Sequence, residues 1–129
     1  YNEEILASII SLGQIGDKRS ASLLKEMLSH EEPNIRWDSA IALAKMNDNS
    51  GKLIINDLLD REYYNSYNNV DKWEENKAIM TAVQIAYHLK DPYFKKNLIT
   101  LATYDSNMEI RNTAIKILKN IYNIEVSNG

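Results

Sequence analysis

RWDSAIALAKMND, Arg36 to Asp48, is answered 75 residues later by RNTAIKILKNIYN, Arg111 to Asn123. Each opens on Arg and closes twelve positions on with a polar residue. Leu stands seven positions after the Arg in both (Leu43, Leu118), and a long apolar residue ten after it (Met46, Ile121). The start of the chain fits the same frame, with Ile5 in the arginine slot, Leu12 and Ile15 in the apolar slots and Asp17 as the close. A weaker copy runs from Ile79 through Ala86 and Leu89 to Asp91. The chain is therefore built from copies of one unit.

A second apolar pattern follows each closing Asp. Leu23, Leu24, Met27 and Leu28 follow Asp17 by six, seven, ten and eleven positions, and Ile54, Ile55, Leu58 and Leu59 follow Asp48 by the same offsets. Spacings of three and four put each set on one face of a helix. The Asp is placed to cap that helix by accepting its free N–H groups. Asp91-Pro92 adds a proline suited to the first helical position, and Pro33 starts a helix likewise. These signals predict helix pairs at 3–13 and 18–29, 33–46 and 50–63, and 72–89 and 92–103, then a last helix at 107–122. No strand pattern competes.

LGQIGD (Leu12–Asp17), IRWDSAIALAKMND (Ile35–Asp48) and IRNTAIKIL (Ile110–Leu118) resemble HEAT repeats, in particular the short bacterial variety similar to phycobilisome-lyase repeats. The resemblance implies an all-α fold, a right-handed α-α superhelix of three to four helix pairs, as one domain over residues 1–129. It names no function, since such arrays serve many. Two departures stand out. The closing residues are 31 apart from Asp17 to Asp48 and 32 from Asp91 to Asn123, but 43 from Asp48 to Asp91, which places an insertion at residues 61–72. The third copy also carries Ile79 where an Arg is expected, so its contact with its neighbour must differ.

Composition narrows the possible functions. With 129 residues, 44% hydrophobic and 26% charged, the chain can bury a core of its own. The net charge is −3 with acids and bases interspersed, so no basic block exists to bind nucleic acid or an anionic membrane. Uncharged runs such as Ile5–Gly16 fall far short of the ~20 residues of a membrane span. Cysteine is absent, which excludes disulfides, thiolate nucleophiles and cysteine metal sites but leaves the compartment undecided. Tyr1-Asn2-Glu3-Glu4 runs straight into a helical pattern, as in a piece of a longer protein.

Several residues invite chemistry and are better read as structure. Arg36 and Arg111 could bind anions, but the repeat places them to form a ladder with the preceding closing acids, Asp17–Arg36 and Asp91–Arg111. Trp37-Asp38 resembles the aromatic and acid that HEAT-like DNA glycosylases use, yet the Trp37 slot holds Leu6 and Met80 in other copies, which marks packing. His30-Glu31-Glu32 is similar to the iron-binding pairs of deoxyhypusine hydroxylases, but it falls in a turn and His88 is the only other histidine. Setting Gly51 at position six of a calcium loop puts Met46, which cannot ligate, at position one. No phosphate loop or nucleophile motif occurs, so catalysis, a cofactor and a metal are not expected.

The insertion is different in composition. Tyr63, Tyr64, Tyr67 and Trp73 crowd into eleven residues among Asn and Ser, and Asp71 with Glu74 forms a capping start for the next helix. Rings with a polar handle dominate binding hot spots. They also suit closure of a wider gap between helix pairs, and both readings stay open. The expectation is a non-catalytic scaffold module that binds a partner protein or peptide on a concave face lined by second helices. Candidate contacts are Lys25, Asn56 and Lys96 on those helices and Tyr64, Tyr67 and Trp73 in the insertion. The alternatives are a lyase- or chaperone-like domain acting on a bound cofactor, and an architectural segment of a longer solenoid.

Overall fold

The structure is a computed structural model that describes residues 3–15 and 17–126. Gly16, inside one of the repeat motifs, lies outside the described residues. Among the described residues all regular structure is helical: α1 Glu3–Gln14, α2 Lys18–Met27, α3 Pro33–Lys45, α4 Lys52–Leu58, α5 Lys72–Leu89, α6 Lys95–Tyr104 and α7 Met108–Tyr122. Two 3-10 segments, Arg61–Ser66 and Pro92–Phe94, precede α5 and α6. Close packing divides the chain into two units, residues 1–55 and 56–129.

The closing acids each accept a backbone N–H, Asp17 and Asp91 as caps and Asp48 in the turn ahead of α4. Asp17 accepts from the Arg19 N–H (3.0 Å), Asp48 from Ser50 (2.8 Å) and Asp91 from Tyr93 (2.9 Å), each two residues on. A short side-chain acceptor can satisfy an N–H that the helix or turn leaves without a partner. Asn47 and Lys90, directly before two of these acids, have positive φ, as does Asn123 after α7. In this left-handed conformation the chain leaves one helix and turns toward the next. Asp71 caps α5 through the Glu74 N–H at 2.8 Å, as the capping pattern implies.

In the first unit α1 packs on α2, α2 on α3 and α1 on α3. The core joins Leu6 and Ile9 of α1, Leu24 and Met27 of α2, and Ile35, Ala42 and Leu43 of α3. Leu43 is fully buried, and so is its counterpart Leu118 in the second unit, where α7 lies against α5 and α6. The same slot in α1 is open, with Leu12 43% and Ile15 80% exposed. Leu43 is covered by α1 and α2, whereas no described helix covers the equivalent face of α1.

One expected element changes at the insertion, while α5 spans 72–89 as expected. The helix expected over 50–63 stops at Leu58, because Asp60 caps a new 3-10 segment by accepting from the Glu62 N–H (3.0 Å). The added length does not form a long loop. α5 starts seven residues before Ile79, whereas α3 and α7 start three before Arg36 and Arg111, so α5 gains about one turn.

Gly51, at the start of α4, owes its identity to crowding. A Cβ there would stand 2.7 Å from the Ala40 Cβ and 2.8 Å from its Cα, with backbone that cannot retreat. A Cβ on Gly13 would crowd the flexible Met46 side chain at 2.9 Å and touch the Ser20 Cβ at an ordinary 3.6 Å. Gly51→Ala should therefore lower stability by about 1–3 kcal/mol, with Gly13→Ala close to neutral. Leu43→Ala and Leu118→Ala should each cost about 2–5 kcal/mol. Urea titrations of the four variants check both statements, and a Leu43→Ala protein as stable as wild type would refute the shared slot.

Candidate interaction surface

The insertion is pinned by charge. Arg61, first residue of its 3-10 segment, holds the Asp105 carboxylate with two parallel bonds, Nε to Oδ1 at 2.8 Å and Nη2 to Oδ2 at 2.9 Å. Its Nη1 donates to Oε2 of Glu75 at 2.6 Å, and Glu75 lies in the turn that α5 gains. Lys72 adds a longer contact to the same oxygen, 3.4 Å. Only 2% of the Asp105 side chain is exposed. Burial pushes its carboxyl up, but the Arg61 bonds and the Asn107 N–H outweigh this and hold it below the usual carboxylate range. Arg61 is raised, chiefly by its bond to Asp105.

The rings divide into core and surface. Tyr64 is buried, its hydroxyl donating to the Leu58 carbonyl at 2.6 Å, and burial raises its pKa. It is therefore a core residue and is removed from the candidate contacts; the short turn after Leu58 folds its ring inward. Tyr63 lies edge-on to it at 5.8 Å. The Tyr67 hydroxyl donates to that of Tyr63 at 3.1 Å, leaving Tyr67 half-buried. Trp73 is 69% exposed, with the Lys77 ammonium 5.2 Å from its ring centroid.

The other candidates are placed as follows. Lys25 pairs with Asp48 at 3.2 Å, and Lys96 is exposed. Asn56 accepts from the Asn97 amide through its backbone carbonyl (3.0 Å), while its own Oδ1 is buried without a partner. Asp17 is bound by Arg19 through N–H and guanidinium, which lowers its pKa. Arg36 donates to the carbonyls of His30 (2.7 Å) and Glu31 (3.0 Å). Arg111 does the same to the Asp105 carbonyl at 2.8 Å, again six residues back. The carbonyl of Asp91 accepts from the Tyr122 hydroxyl at 2.7 Å, and burial pushes that phenol up to about 12. The two arginines thus act alike, each supplying a donor to carbonyls just before its helix.

Sequence reading missed Arg61, Glu75 and Asp105, whose partners lie 44 and 14 residues apart in the chain. It also missed Tyr104, which ends α6 and is 82% exposed. Tyr104, Thr100 and Asn97 of α6 face Asp60, Arg61 and Glu62 across a cleft of about 240 Å³. Two further grooves run between first helices, one of about 170 Å³ between α1 and α3 and one of about 350 Å³ between α5 and α7. Among the described residues no group of three His, Asp or Glu is placed to hold a metal ion, and no helix is long and apolar enough to cross a membrane.

Helices that repeat one buried slot and one carbonyl-binding arginine define an all-α helical-repeat protein. A family model described as HEAT repeats matches residues 3–64, so that stretch is similar to HEAT repeats. HEAT repeats generally mediate protein–protein interaction and are typically non-catalytic. No curated protein and no solved structure matches the chain significantly.

Removing one member of the buried network leaves the others uncompensated, so Arg61→Met should cost about 3–5 kcal/mol. The lowered pKa of Asp105 makes its contribution complete above the unfolded carboxylate value, about 3.9, and lost as pH falls through the folded value. Asp105→Asn should therefore flatten the acid side of the stability curve, as measured by denaturant midpoints between neutral pH and about pH 3. A variant with the full wild-type acid dependence would refute this.

Proposed function

We propose that this chain is a non-catalytic binding module that receives a partner protein on its second helices. The observation that carries the reading is the cleft between α6 and the 3-10 segment. It combines an exposed Tyr104 with Thr100, Asn97, Asp60 and Glu62 on a wall held in place by Arg61. Tyr offers a large contact area at low conformational cost, which suits a hot spot. The short polar groups around it supply orientation. Lys96, on the same helix, and Asp57, on α4, add charge of both signs, which favours a protein with its own charge pattern. Asp57 also has a raised pKa, from burial first and then from neighbouring Asp60.

The test is affinity capture with the wild-type chain and with Tyr104→Ser/Lys96→Glu as baits. Both side chains are exposed, so melting temperature and helical circular dichroism should be unchanged. Partners retained by wild type should be lost by at least tenfold from the variant. Equal recovery on both baits would rule out the second-helix surface.

A further inference from the structure

The outer face of α1 repeats a face that the other copies bury. Three positions after the arginine slot the residue is small in all four copies: Ser8, Ser39, Ala82 and Ala114. Ser39, Ala82 and Ala114 are fully buried, whereas Ser8 is exposed. Seven positions after the slot, Leu43, Ala86 and Leu118 are fully buried and Leu12 is exposed. Ten positions after it, Met46, Leu89 and Ile121 are half-buried and Ile15 is exposed.

This face is shaped for a helix. Ile5, Ser8, Leu12 and Ile15 follow one another by three, four and three positions, the spacing of a seam between two helices. The small residue within the seam lets a neighbouring helix come close, as it does at Ser39 in the first unit. The Ser8 hydroxyl already donates to the Glu4 carbonyl at 3.0 Å, so covering it strands no polar group. Arg36 and Arg111 tie their helices to carbonyls of the preceding chain, but α1 carries Ile5 at that position. A helix lying on α1 is therefore not held through that joint, and Ile5 instead adds apolar surface to the seam.

The seam is complementary to itself. When two copies of α1 lie antiparallel, Ile5 meets the partner's Ile15, and Ser8 meets the partner's Leu12. A large side chain then fills the room that a small one leaves. A parallel pair would set serine against serine and leave a gap. Charge agrees with this choice. Glu4, at the start of α1, and Lys18, just beyond its end, are both exposed. The antiparallel pair brings each acid toward a base, and the parallel pair brings acid to acid. Head-to-tail stacking on α7 does not serve, because the positions of Leu6, Ile9 and Ile10, which α1 turns to its own core, are Asn112, Ile115 and Lys116 in α7. Burying that amide and ammonium without partners is costly.

We propose that the chain pairs with a second copy of itself through α1, the two helices lying antiparallel along the seam of Ile5, Ser8, Leu12 and Ile15. The contact is isologous, the same stripe serving both copies. One stripe per chain makes a small interface, so the dimer is weak and forms as concentration rises. It uses the first helix and does not depend on the second-helix cleft.

Sedimentation velocity of the full chain from about 10 μM to 1 mM should show the mass rising from monomer toward dimer. Leu12→Glu and Ile15→Glu should each weaken association at least tenfold, with the melting temperature of the dilute protein unchanged, because both side chains are exposed. Tyr104→Ser should leave association unchanged, which separates this contact from the second-helix surface. Orientation is read by disulfide trapping, since the chain has no cysteine of its own. Under oxidation a mixture of Ser8→Cys and Leu12→Cys chains should give mainly the mixed disulfide. A chain that stays monomeric throughout overturns the proposal and leaves the seam to a helix of another protein. Association that survives both Glu variants, or a Ser8→Cys disulfide formed chiefly with itself, equally overturns it. So does a lowered melting temperature of both dilute Glu variants, which would make the stripe part of the monomer's own packing.

Discussion

One buried leucine anchors α3 and another anchors α7, and the helices around them are arranged to keep them covered. Leu43 sits among Leu6, Ile9, Leu24 and Met27, so α3 cannot move without opening the core shared by α1 and α2. Leu118 fills the same slot of α7, which lies against α5 and α6. Burying such a side chain contributes about 1.5–3 kcal/mol, several times a surface ion pair. A helix pair cannot bury its own apolar face alone, and the slot residue couples it to its neighbour.

Burial of this kind requires sharp, fully hydrogen-bonded joints between helices. The recurring solution has two parts. An acid accepts the N–H two residues on, at Asp17, Asp48 and Asp91. An arginine near the start of the next helix reaches six residues back to a carbonyl, from Arg36 to His30 and from Arg111 to Asp105. Both parts serve backbone groups that the helix ends and turns leave without partners. Ile79 replaces the arginine where α5 is longer and the preceding chain is the insertion; there Arg61 takes over as the residue that ties segments together.

The insertion adds surface without adding a floppy loop. Its tyrosines pack on one another, Tyr64 is drawn into the core, and Arg61 binds the turn between α6 and α7. The outcome is one cleft beside α6 and one groove beside the lengthened α5. Rigid walls reduce the ordering cost of binding, which supports the binding role proposed for the chain.

The order and phase of the helices were legible in the sequence, because apolar spacing and capping acids are local signals. Asp17, Asp71 and Asp91 cap as their spacing implies, and Leu43 and Leu118 are both buried. The extra length at residues 61–72 was legible too, but not its form. That Tyr64 is core while Trp73 is surface depends on a turn at residues 59–60 and on where α5 begins. Composition treats the two rings alike. The partners of Arg61 lie 14 and 44 residues away, and no periodicity connects them. Gly51 reads as loop sequence, and only the packing of Ala40 against it shows why no side chain fits there. Local chain physics determined the helices, their caps and the buried slot; packing between distant segments decided which polar groups meet, which rings are covered and where a groove is left open.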